Sequence, residues 1–367
     1  MTVAICGGGT GGHIYPLLAL REELESRDVE TVLYLSEKGQ FAASELDCRV
    51  KLFDLEGYSR SLSPRNLRAA GKLARALRGA RREMKCSRPA VAVGFGGYAS
   101  LPPMVAALWL GIPTLIHEQN VVPGVANRLL ALLADRTAVS FMESAAHLGR
   151  RSRITLTGNP LRAEFSVSVE KAAAYGHFDL EPGRQTIVVL GGSQGAAALN
   201  QAVRDALPLF DARDDLQLVH AVGKDKYDDF ASGLVKPSGG FLYRPFPFIE
   251  RMDLLYAVAD LAVCRAGATT LAELQASGVP SILVPYPFAT GGHQEKNALW
   301  MERAGAARMV KQEELDGESL HSLVDGLLGD RAALEAIAKR ALQVARPDAA
   351  ARLADLAVEM AAGRTRS

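Results

Sequence analysis

The chain has 367 residues, of which 48% are hydrophobic and 23% charged, and its formal net charge is +1. This composition excludes an intrinsically disordered protein and is typical of a globular chain long enough for two domains. The near-zero net charge shows no overall acidic or basic balance, so it gives no reason to expect a nucleic-acid partner.

The cysteines and the apolar segments indicate a protein of the reducing cytosol. Cys6, Cys48, Cys86 and Cys264 lie far apart and form no C-x-x-C pair, which argues against a disulfide framework and against a zinc site. The first residues lack the basic region and apolar core of a signal peptide. No run of about 18 apolar residues occurs, so we expect no membrane-spanning segment.

The N-terminal stretch predicts a strand, a tight glycine loop and a helix. Residues 3–6 form a short apolar run, and five of the next six residues are glycine. Leucines at 17, 18, 20 and 24 then recur at helical spacing. Glycine lets a backbone approach a ligand closely, and a helix N-terminus attracts anions. We therefore expect a phosphate-containing ligand here, with His13 as the titratable side chain in the mouth of the loop.

A dinucleotide-binding loop is the alternative for this stretch, because Gly7, Gly9 and Gly12 fit G-x-G-x-x-G. That motif requires an acidic residue about 20 positions later, at the end of the second strand. The second predicted strand spans residues 31–35, and the next acid, Glu37, comes several residues late. The loop also lacks the Gly-Lys-Ser/Thr ending of a P-loop, so the pattern disfavours NAD.

From Arg60 to Arg88 the chain carries ten basic residues and one acidic residue, Glu83. Apolar residues at 67, 70, 74, 77 and 84 recur at helical spacing, which predicts an amphipathic helix with a basic face. Two interpretations stay open on this pattern alone. The face could dock on anionic lipid head groups, or it could be a solvated face of a helix packed on a sheet.

Polar residues follow a predicted strand at 114–116, where the chain reads His117, Glu118, Gln119 and Asn120. The carboxyl ends of strands in an α/β sheet are where ligands bind. A single histidine there could simply cap backbone groups, but four consecutive polar residues favour a site. Residues 158–162 read as a turn that leaves this first sheet.

The strand, glycine loop and helix pattern begins again near residue 186, after a polar segment at 163–185 that we predict to be an irregular linker. This repetition predicts two similar α/β domains that face each other across a cleft. Ser193, in the second glycine loop, suits a phosphate oxygen or a helix N-cap. A further helix is predicted to start near Thr269, with Glu273 one turn in, either bonded to a ribose diol or as a partner of the helix dipole.

Seven motifs in this order resemble those of the MurG family of bacterial glycosyltransferases, and they extend from the first strand to about residue 306. The motifs occupy residues 8–13 with Pro16, 94–98, 117–120, 158–162, 191–196, 265–273, and 293–294 with 297–298. The resemblance implies the α/β GT-B architecture, with two Rossmann-like parallel-sheet domains. It assigns residues 1–162 and about 343–367 to an N-terminal acceptor domain that faces the membrane, and residues 163–342 to a C-terminal donor domain.

The activity implied by the resemblance is transfer of N-acetylglucosamine from UDP-N-acetylglucosamine to lipid I, which gives lipid II for peptidoglycan. Such an enzyme acts peripherally on the cytoplasmic face of the bacterial inner membrane, in cell-wall synthesis, cell shape and division. The 4-hydroxyl of N-acetylmuramic acid would displace UDP with inversion. A base must accept its proton, and we expect His13, with Glu118 and His117 in reserve. No Asp-x-Asp motif occurs near a strand end, so we expect no protein-bound metal and no cofactor.

The resemblance also implies substrate contacts. It places Thr10, Gly11 and Gly12 beside the sugar and diphosphate, and Asn120 and Gln294 on N-acetylglucosamine. It places Arg162, Ser193 and the backbone of Ile249 on the nucleotide. The helix start that holds phosphate comprises Ala268, Thr269, Thr270, Leu271, Ala272 and Glu273, with Glu273 on the ribose. One departure is Gly291, where the family usually has an acid. The membrane location implied by the resemblance favours docking on anionic lipid head groups over a merely solvated face as the role of the basic helix.

Rival functions lead to different expectations. An NAD oxidoreductase would bind NADH, a UDP-sugar epimerase would consume the donor without an acceptor, and a UDP-sugar sensor would bind without turnover. A transferase acting on another lipid acceptor is the nearest competitor.

Overall fold

The computed structural model describes residues 1–8, 11–36, 49–53, 64–149, 153–167, 169–192, 194–235 and 237–363, with the backbone alone for 64–70 and 166. The chain divides into two compact units. Unit 1 comprises Met1–Ala163 and Arg346–Ser367, and unit 2 comprises Glu164–Ala345. Thr10, Ser193 and Arg60 lie outside the described residues.

Unit 1 is built on a parallel sheet with the strand order β3-β2-β1-β4-β5-β6-β7. Its strands are β1 (Thr2–Gly7), β2 (Glu30–Ser36), β3 (Arg49–Phe53), β4 (Val91–Gly94), β5 (Thr114–Glu118), β6 (Arg136–Val139) and β7 (Ile154–Leu156). Its helices are α1 (Gly11–Glu25), α2 (Pro64–Ser87), α3 (Leu101–Trp109), α4 (Val125–Leu130) and α13 (Ala349–Gly363). The central strands are buried on both faces, which is why they read as continuous apolar runs.

The helix α13 brings the end of the chain back to unit 1, where it packs against α1 and β4. Leu353 and Leu356 of α13 are buried together with Leu17, Leu20 and Leu24 of α1 in one core cluster. This burial explains the leucine spacing in both helices. Met360 is partly buried at the edge of this cluster.

The predicted basic helix is confirmed as α2, but its buried side differs from the prediction. Ala76, Ala80 and Met84 are buried, whereas Leu77 is half-buried and Ala74 is exposed. Alanine contributes little to an apolar stripe, so its spacing on a basic helix does not identify the packed face. Among residues 71–87, Arg75, Arg78, Arg81, Arg82 and Lys85 are exposed.

Unit 2 contains a second parallel sheet with the order β10-β9-β8-β11-β12-β13. Its strands are β8 (Gln185–Leu190), β9 (Leu216–Ala221), β10 (Leu242–Phe246), β11 (Leu261–Cys264), β12 (Ser281–Leu283) and β13 (Arg308–Met309). Its helices are α5 (Lys171–Phe178), α6 (Ala197–Phe210), α7 (Tyr227–Ser232), α8 (Met252–Val258), α9 (Ala268–Ser277), α10 (His293–Arg303), α11 (Gly317–Gly329) and α12 (Arg331–Val344). The predicted class, two parallel α/β domains, is confirmed.

One prediction about unit 2 was wrong. The segment 163–185, expected to be irregular, contains α5, which buries Ala174 and Phe178 and ends at Asp179 in a left-handed conformation (φ 52°). Two buried positions in eight residues are too few for a clear helical period.

In the part of the chain that the structure describes, no helix is both long and apolar enough to cross a membrane. Within those same residues, no group of three or more His, Cys, Asp and Glu side chains could hold a metal ion.

Candidate active site

The first glycine loop connects β1 to α1 and depends on glycine for close packing. A Cβ on Gly7 would lie 2.9 Å from Cδ1 of Leu17 and 3.3 Å from Cβ of Phe95, and Gly8 has φ +112°. Gly11 and Gly12 form the start of α1, where backbone N–H groups precede the first intrahelical acceptors. The start of this 15-residue helix can therefore receive an anion.

His13 lies in the first turn of α1 and is half-buried. Its Nδ1 is 3.1 Å from Oε1 of Gln119, which follows β5. A Cβ on Gly97 would come within 3.3 Å of Cδ2 of His13, so the absence of a side chain at Gly97 leaves room for the imidazole. Two separate loops thus determine the position of this ring.

His117 is fully buried at the end of β5. Its Nε2 is 2.8 Å from the carbonyl oxygen of Gly158, and its Nδ1 is 3.1 Å from Nε2 of Gln119. The pKa of His117 is lowered from 6.5 to about 4, chiefly by burial and to a smaller extent by the nearby His13. The hydrogen bond to Gly158 acts in the opposite direction. The ring is therefore neutral at pH 7.

Glu118 is also buried, and its carboxylate holds the loop after β5. Oε1 accepts hydrogen bonds from the backbone N and Nδ2 of Asn120 at 2.9 and 3.2 Å. Oε2 accepts from the backbone N of Gly124 at 3.1 Å and from Nδ2 of Asn127 at 2.9 Å. The carboxylate therefore accepts hydrogen bonds from four donors, and these bonds hold Asn120 in a half-buried position.

Arg162 belongs to unit 1 and lies beside the same helix as His13. Its guanidinium carbon is 5.1 Å from the ring centroid of Tyr15 on α1, a cation–π distance. The described contact therefore places Arg162 near the start of α1.

In unit 2, α9 begins at Ala268 after the N-cap residue Gly267. The backbone N of Leu271 donates to the carbonyl oxygen of Gly267, so Ala268, Thr269 and Thr270 carry the N–H groups without intrahelical acceptors. No described side chain caps this end, and Oγ1 of Thr269 is buried without a partner among the described residues. A buried hydroxyl beside three such amides is suited to bind an anion.

The remaining residues of α9 are placed differently. The side chain of Leu271 is fully buried in the core, that of Ala268 is nearly so, and Ala272 is half-buried. Glu273 is 6% exposed and accepts a hydrogen bond from the Tyr256 hydroxyl at 3.2 Å. Leu271 could therefore meet a ligand only through its backbone.

Gln294 is the second residue of α10, and its side chain contacts the backbone shortly after β12. Its Oε1 accepts from the backbone N of Tyr286 at 2.9 Å, and it is half-buried. Gly291 and Gly292 before it both have φ +64°. An acid at 291 would adopt a strained left-handed backbone, so glycine at this position is consistent with the local conformation. Ile249 is buried in the core of unit 2, so only its backbone could meet a ligand.

Asn127 and Tyr256, which hold Glu118 and Glu273, were not predicted from the sequence, and Gln119 had no predicted role of its own. Asn127 and Tyr256 lie outside the seven motifs, and they meet their partners 9 and 17 residues away along the chain. No local pattern marks such contacts.

Two models of one protein family and several full-length relatives match this chain. Residues 3–139 match the glycosyltransferase family 28 N-terminal domain, and residues 186–353 match the C-terminal domain of that family. The chain is 40% identical over 375 residues to the UDP-N-acetylglucosamine–N-acetylmuramyl-(pentapeptide) pyrophosphoryl-undecaprenol N-acetylglucosamine transferase of Desulforudis audaxviator, covering 100% of both chains. The protein of the same name from Listeria monocytogenes serovar 1/2a is 40% identical, with 97% of this chain and 98% of the relative covered.

Solved structures are similar over the same length. The crystal structure of Acinetobacter baumannii MurG has a TM-score of 0.76 at 29% identity and covers 98% of this chain and 99% of its own. A UDP-GlcNAc 2-epimerase from Neisseria meningitidis bound to UDP-GlcNAc has a TM-score of 0.69 at 13% identity, with 98% and 100% covered. The second similarity concerns the fold alone.

Proposed function

Because the chain belongs to glycosyltransferase family 28, we propose that it transfers N-acetylglucosamine from UDP-N-acetylglucosamine to lipid I, giving lipid II for peptidoglycan. The observation that carries this function is the 40% identity over the full length to transferases named for that donor and acceptor. The epimerase alternative shares the fold at 13–15% identity, which carries no activity.

The reaction is a single inverting displacement. The 4-hydroxyl oxygen of N-acetylmuramic acid forms a bond to C1 of N-acetylglucosamine, the bond from C1 to the diphosphate oxygen breaks, and UDP leaves with the electron pair. The proton of the hydroxyl passes to a base. Backbone N–H groups at helix starts stabilise the charge that develops on the diphosphate.

His13 is the proposed base because it is half-buried in the first turn of α1. The reserve candidates fit the role less well. His117 is fully buried and bonded through both ring nitrogens, and the Glu118 carboxylate accepts four hydrogen bonds that hold its loop. We assign both to positioning the loop after β5.

The donor is proposed to bind unit 2, with its diphosphate at the start of α9 and its ribose at Glu273. The substrate contacts that the family resemblance implied are retained in this proposal. They are Thr10, Gly11, Gly12, Asn120, Arg162, Ser193, Ile249, Ala268, Thr269, Thr270, Leu271, Ala272 and Gln294. The unpartnered hydroxyl of Thr269 supports the α9 assignment.

Unit 1 is proposed to contact an anionic membrane surface at the cytoplasmic face of the inner membrane. Arg78, Arg81, Arg82 and Lys85 of α2 line one pocket together with Trp109, whose side chain is 65% exposed. The helix α3 packs against both α2 and α4, and Leu129 and Leu133 in and after α4 are exposed. Basic side chains beside exposed apolar ones suit binding to anionic head groups with shallow apolar insertion.

The deciding experiment incubates the purified protein with radiolabelled UDP-N-acetylglucosamine and a lipid I analogue, and it follows label in the lipid fraction together with UDP release. We expect a labelled disaccharide-lipid in amounts equal to the UDP formed. Release or conversion of the donor without acceptor would support an epimerase instead. Label transferred to another glycolipid, but not to lipid I, would leave a transferase with a different acceptor.

A further inference from the structure

Three side chains of unit 1 form a continuous set of hydrogen bonds that begins at a backbone carbonyl and ends at His13. We call this set the His117–Gln119–His13 relay. It consists of the Gly158 carbonyl oxygen to His117 Nε2 (2.8 Å), His117 Nδ1 to Gln119 Nε2 (3.1 Å), and Gln119 Oε1 to His13 Nδ1 (3.1 Å). His117 and Gln119 are 0% and 1% exposed, so water does not compete for the first two bonds, whereas the third ends at the half-buried His13.

The proton position on His117 follows from its partner. A carbonyl oxygen can only accept, so Nε2 of His117 must donate to Gly158. Burial lowers the pKa of His117 to about 4, so the ring carries one proton at pH 7. Its Nδ1 is therefore an acceptor.

The orientation of the Gln119 amide follows in the same way. Its Nε2 lies 3.0 Å from the carbonyl oxygen of Phe95, 3.1 Å from that of His117 and 3.1 Å from Nδ1 of His117. All three are acceptors, so the amino group must occupy this end. The opposite orientation would direct the amide oxygen at two carbonyl oxygens. Oε1 is thereby directed at Nδ1 of His13.

We propose that Gln119 is a positioning residue that sets the tautomer of His13, with the proton on Nδ1 and Nε2 as the nitrogen that accepts a proton. An amide oxygen only accepts, so Nδ1 of His13 must donate to it. This inference rests on the proposed function only for its consequence in catalysis. Gln119 orders the base without adding a negative charge beside the ring.

Glycine at 158 anchors the relay at its far end. Gly158 has φ +89°, and a Cβ there would lie 2.6 Å from Cβ of Arg346 and 3.0 Å from Cβ of Ala349. The returning C-terminal segment therefore packs directly on this glycine. Its carbonyl oxygen, which also accepts from the Thr157 hydroxyl at 3.1 Å, is held by the backbone conformation that glycine permits.

The direct test is the tautomer of His13 in the wild-type protein. Histidine labelled with 15N at both ring positions gives distinct shifts for protonated and unprotonated nitrogens, and a His13→Gln variant assigns the signal. We expect His13 with its proton on Nδ1 and His117 with its proton on Nε2 at pH 7.5. A His13 with its proton on Nε2 would overturn the proposal, whatever activity the enzyme has.

Two substitutions of Gln119 test the consequence. Gln119→Met keeps the length of the side chain and removes all the amide's hydrogen bonds, including those to His117 and His13. We therefore expect kcat to fall about 10- to 100-fold while KM for the donor changes less than about twofold. Gln119→Glu restores an acceptor for Nδ1 of His13, and because its second oxygen faces the carbonyl oxygens of Phe95 and His117, that oxygen must carry a proton. With the carboxyl protonated in this way, kcat should exceed that of the methionine variant and the Nδ1 proton should return in the spectrum.

Gln217→Met is the matched control, because Gln217 is a fully buried glutamine of unit 2. It donates to the Glu181 carbonyl at 3.0 Å and to the Thr186 hydroxyl at 2.9 Å, and it accepts from the Glu181 backbone N at 2.9 Å. We expect this variant to melt earlier with kcat unchanged. Equal kcat in the two methionine variants would overturn a positioning role. Absence of transfer by the wild type would refute the proposed function, while the ring spectrum would still decide the relay.

Discussion

Burial separates the histidines that hold the structure from the one proposed to act. His117 in unit 1 and His220 in unit 2 are both 0% exposed and bonded through both ring nitrogens. His220 contacts the Tyr243 hydroxyl at 2.8 Å and Oδ1 of Asn200 at 3.1 Å. His13 is half-buried at a helix start, where a substrate hydroxyl could reach it.

Replacing His13 by alanine should reduce turnover far more than donor affinity. Loss of a positioned general base costs about 100- to 10,000-fold in rate, whereas UDP binding to unit 2 should stay within about threefold. Steady-state kinetics and a UDP titration measure the two quantities. His177→Ala, at an exposed histidine of α5, is the control. Equal losses of turnover and affinity would indicate that His13 only shapes the glycine loop.

Acid should destabilise the fold through its buried histidines. The pKa is lowered to about 4 in His117 and to about 3 in His220, chiefly by burial, from 6.5. Between the lowered pKa and 6.5 the unfolded chain binds more protons than the folded protein. The stability contributed by each neutral buried histidine is therefore fully present above pH 6.5 and is lost as the pH falls. Each histidine should remove about 2 kcal/mol by about pH 5.

Urea unfolding of wild type and His220→Gln at several pH values checks this expectation. The glutamine variant should lose less free energy of unfolding between pH 7 and about pH 5 than wild type, because one of the two buried histidines is gone. His177→Gln, at an exposed site, should keep the wild-type slope. An unchanged slope in the His220 variant would contradict the assignment.

At the scale of elements, the helices α13 and α2 of unit 1 differ in the residues that they bury. The helix α13 is distant in sequence from α1 but shares one core cluster with it. The helix α2 instead turns its arginines outward and buries Ala76, Ala80 and Met84. Apolar spacing predicted α2, whereas only packing identified the face that it buries.

Leu353→Ala in α13 should destabilise the protein by about 2 to 5 kcal/mol, because the leucine is fully buried in the α1 cluster and its removal leaves a cavity. Chemical denaturation gives the change in free energy of unfolding. Leu133→Ala, at a leucine that is 65% exposed, should change stability by less than about 0.5 kcal/mol. A loss at Leu353 as small as the one expected at Leu133 would mean that α13 contributes little to the core.

Reversing charge on α2 should weaken binding to anionic vesicles. Each basic side chain near such a surface contributes about 1 kcal/mol, so Arg81→Glu with Arg82→Glu should lower partitioning at least about tenfold. Sedimentation with phosphatidylglycerol vesicles measures it. Lys339→Glu with Arg340→Glu makes the same charge change on exposed positions of α12 in unit 2. Equal losses in both pairs would indicate an effect of net charge alone.

At the scale of the whole molecule, each unit has its own parallel sheet and its own buried clusters. The chain passes from unit 1 to unit 2 between Ala163 and Glu164 and returns between Ala345 and Arg346. A ligand that binds one unit should therefore protect the core of that unit first.

Saturating UDP should slow hydrogen exchange in unit 2, most strongly at the first amides of α9. At a concentration about 100-fold above the dissociation constant, binding adds about 2.7 kcal/mol to the stability of the bound unit. Exchange measured by mass spectrometry on peptides covering residues 266–275 tests this. Peptides of β4 and β5 in unit 1 are the internal control. Protection confined to unit 1 would place the nucleotide on the other unit.

Sequence alone determined the two strand, glycine loop and helix openings, the parallel α/β class and the candidate status of His13, because these depend on local periodicity and on glycine at sharp turns. Tertiary structure decided which polar residues are buried and bonded. Glu118 meets Asn127, His117 meets Gly158, and α13 meets α1 only in the folded chain. Such contacts join residues up to hundreds of positions apart, so no local pattern contains them. The tautomer of His13, proposed from three such contacts, belongs to this second group.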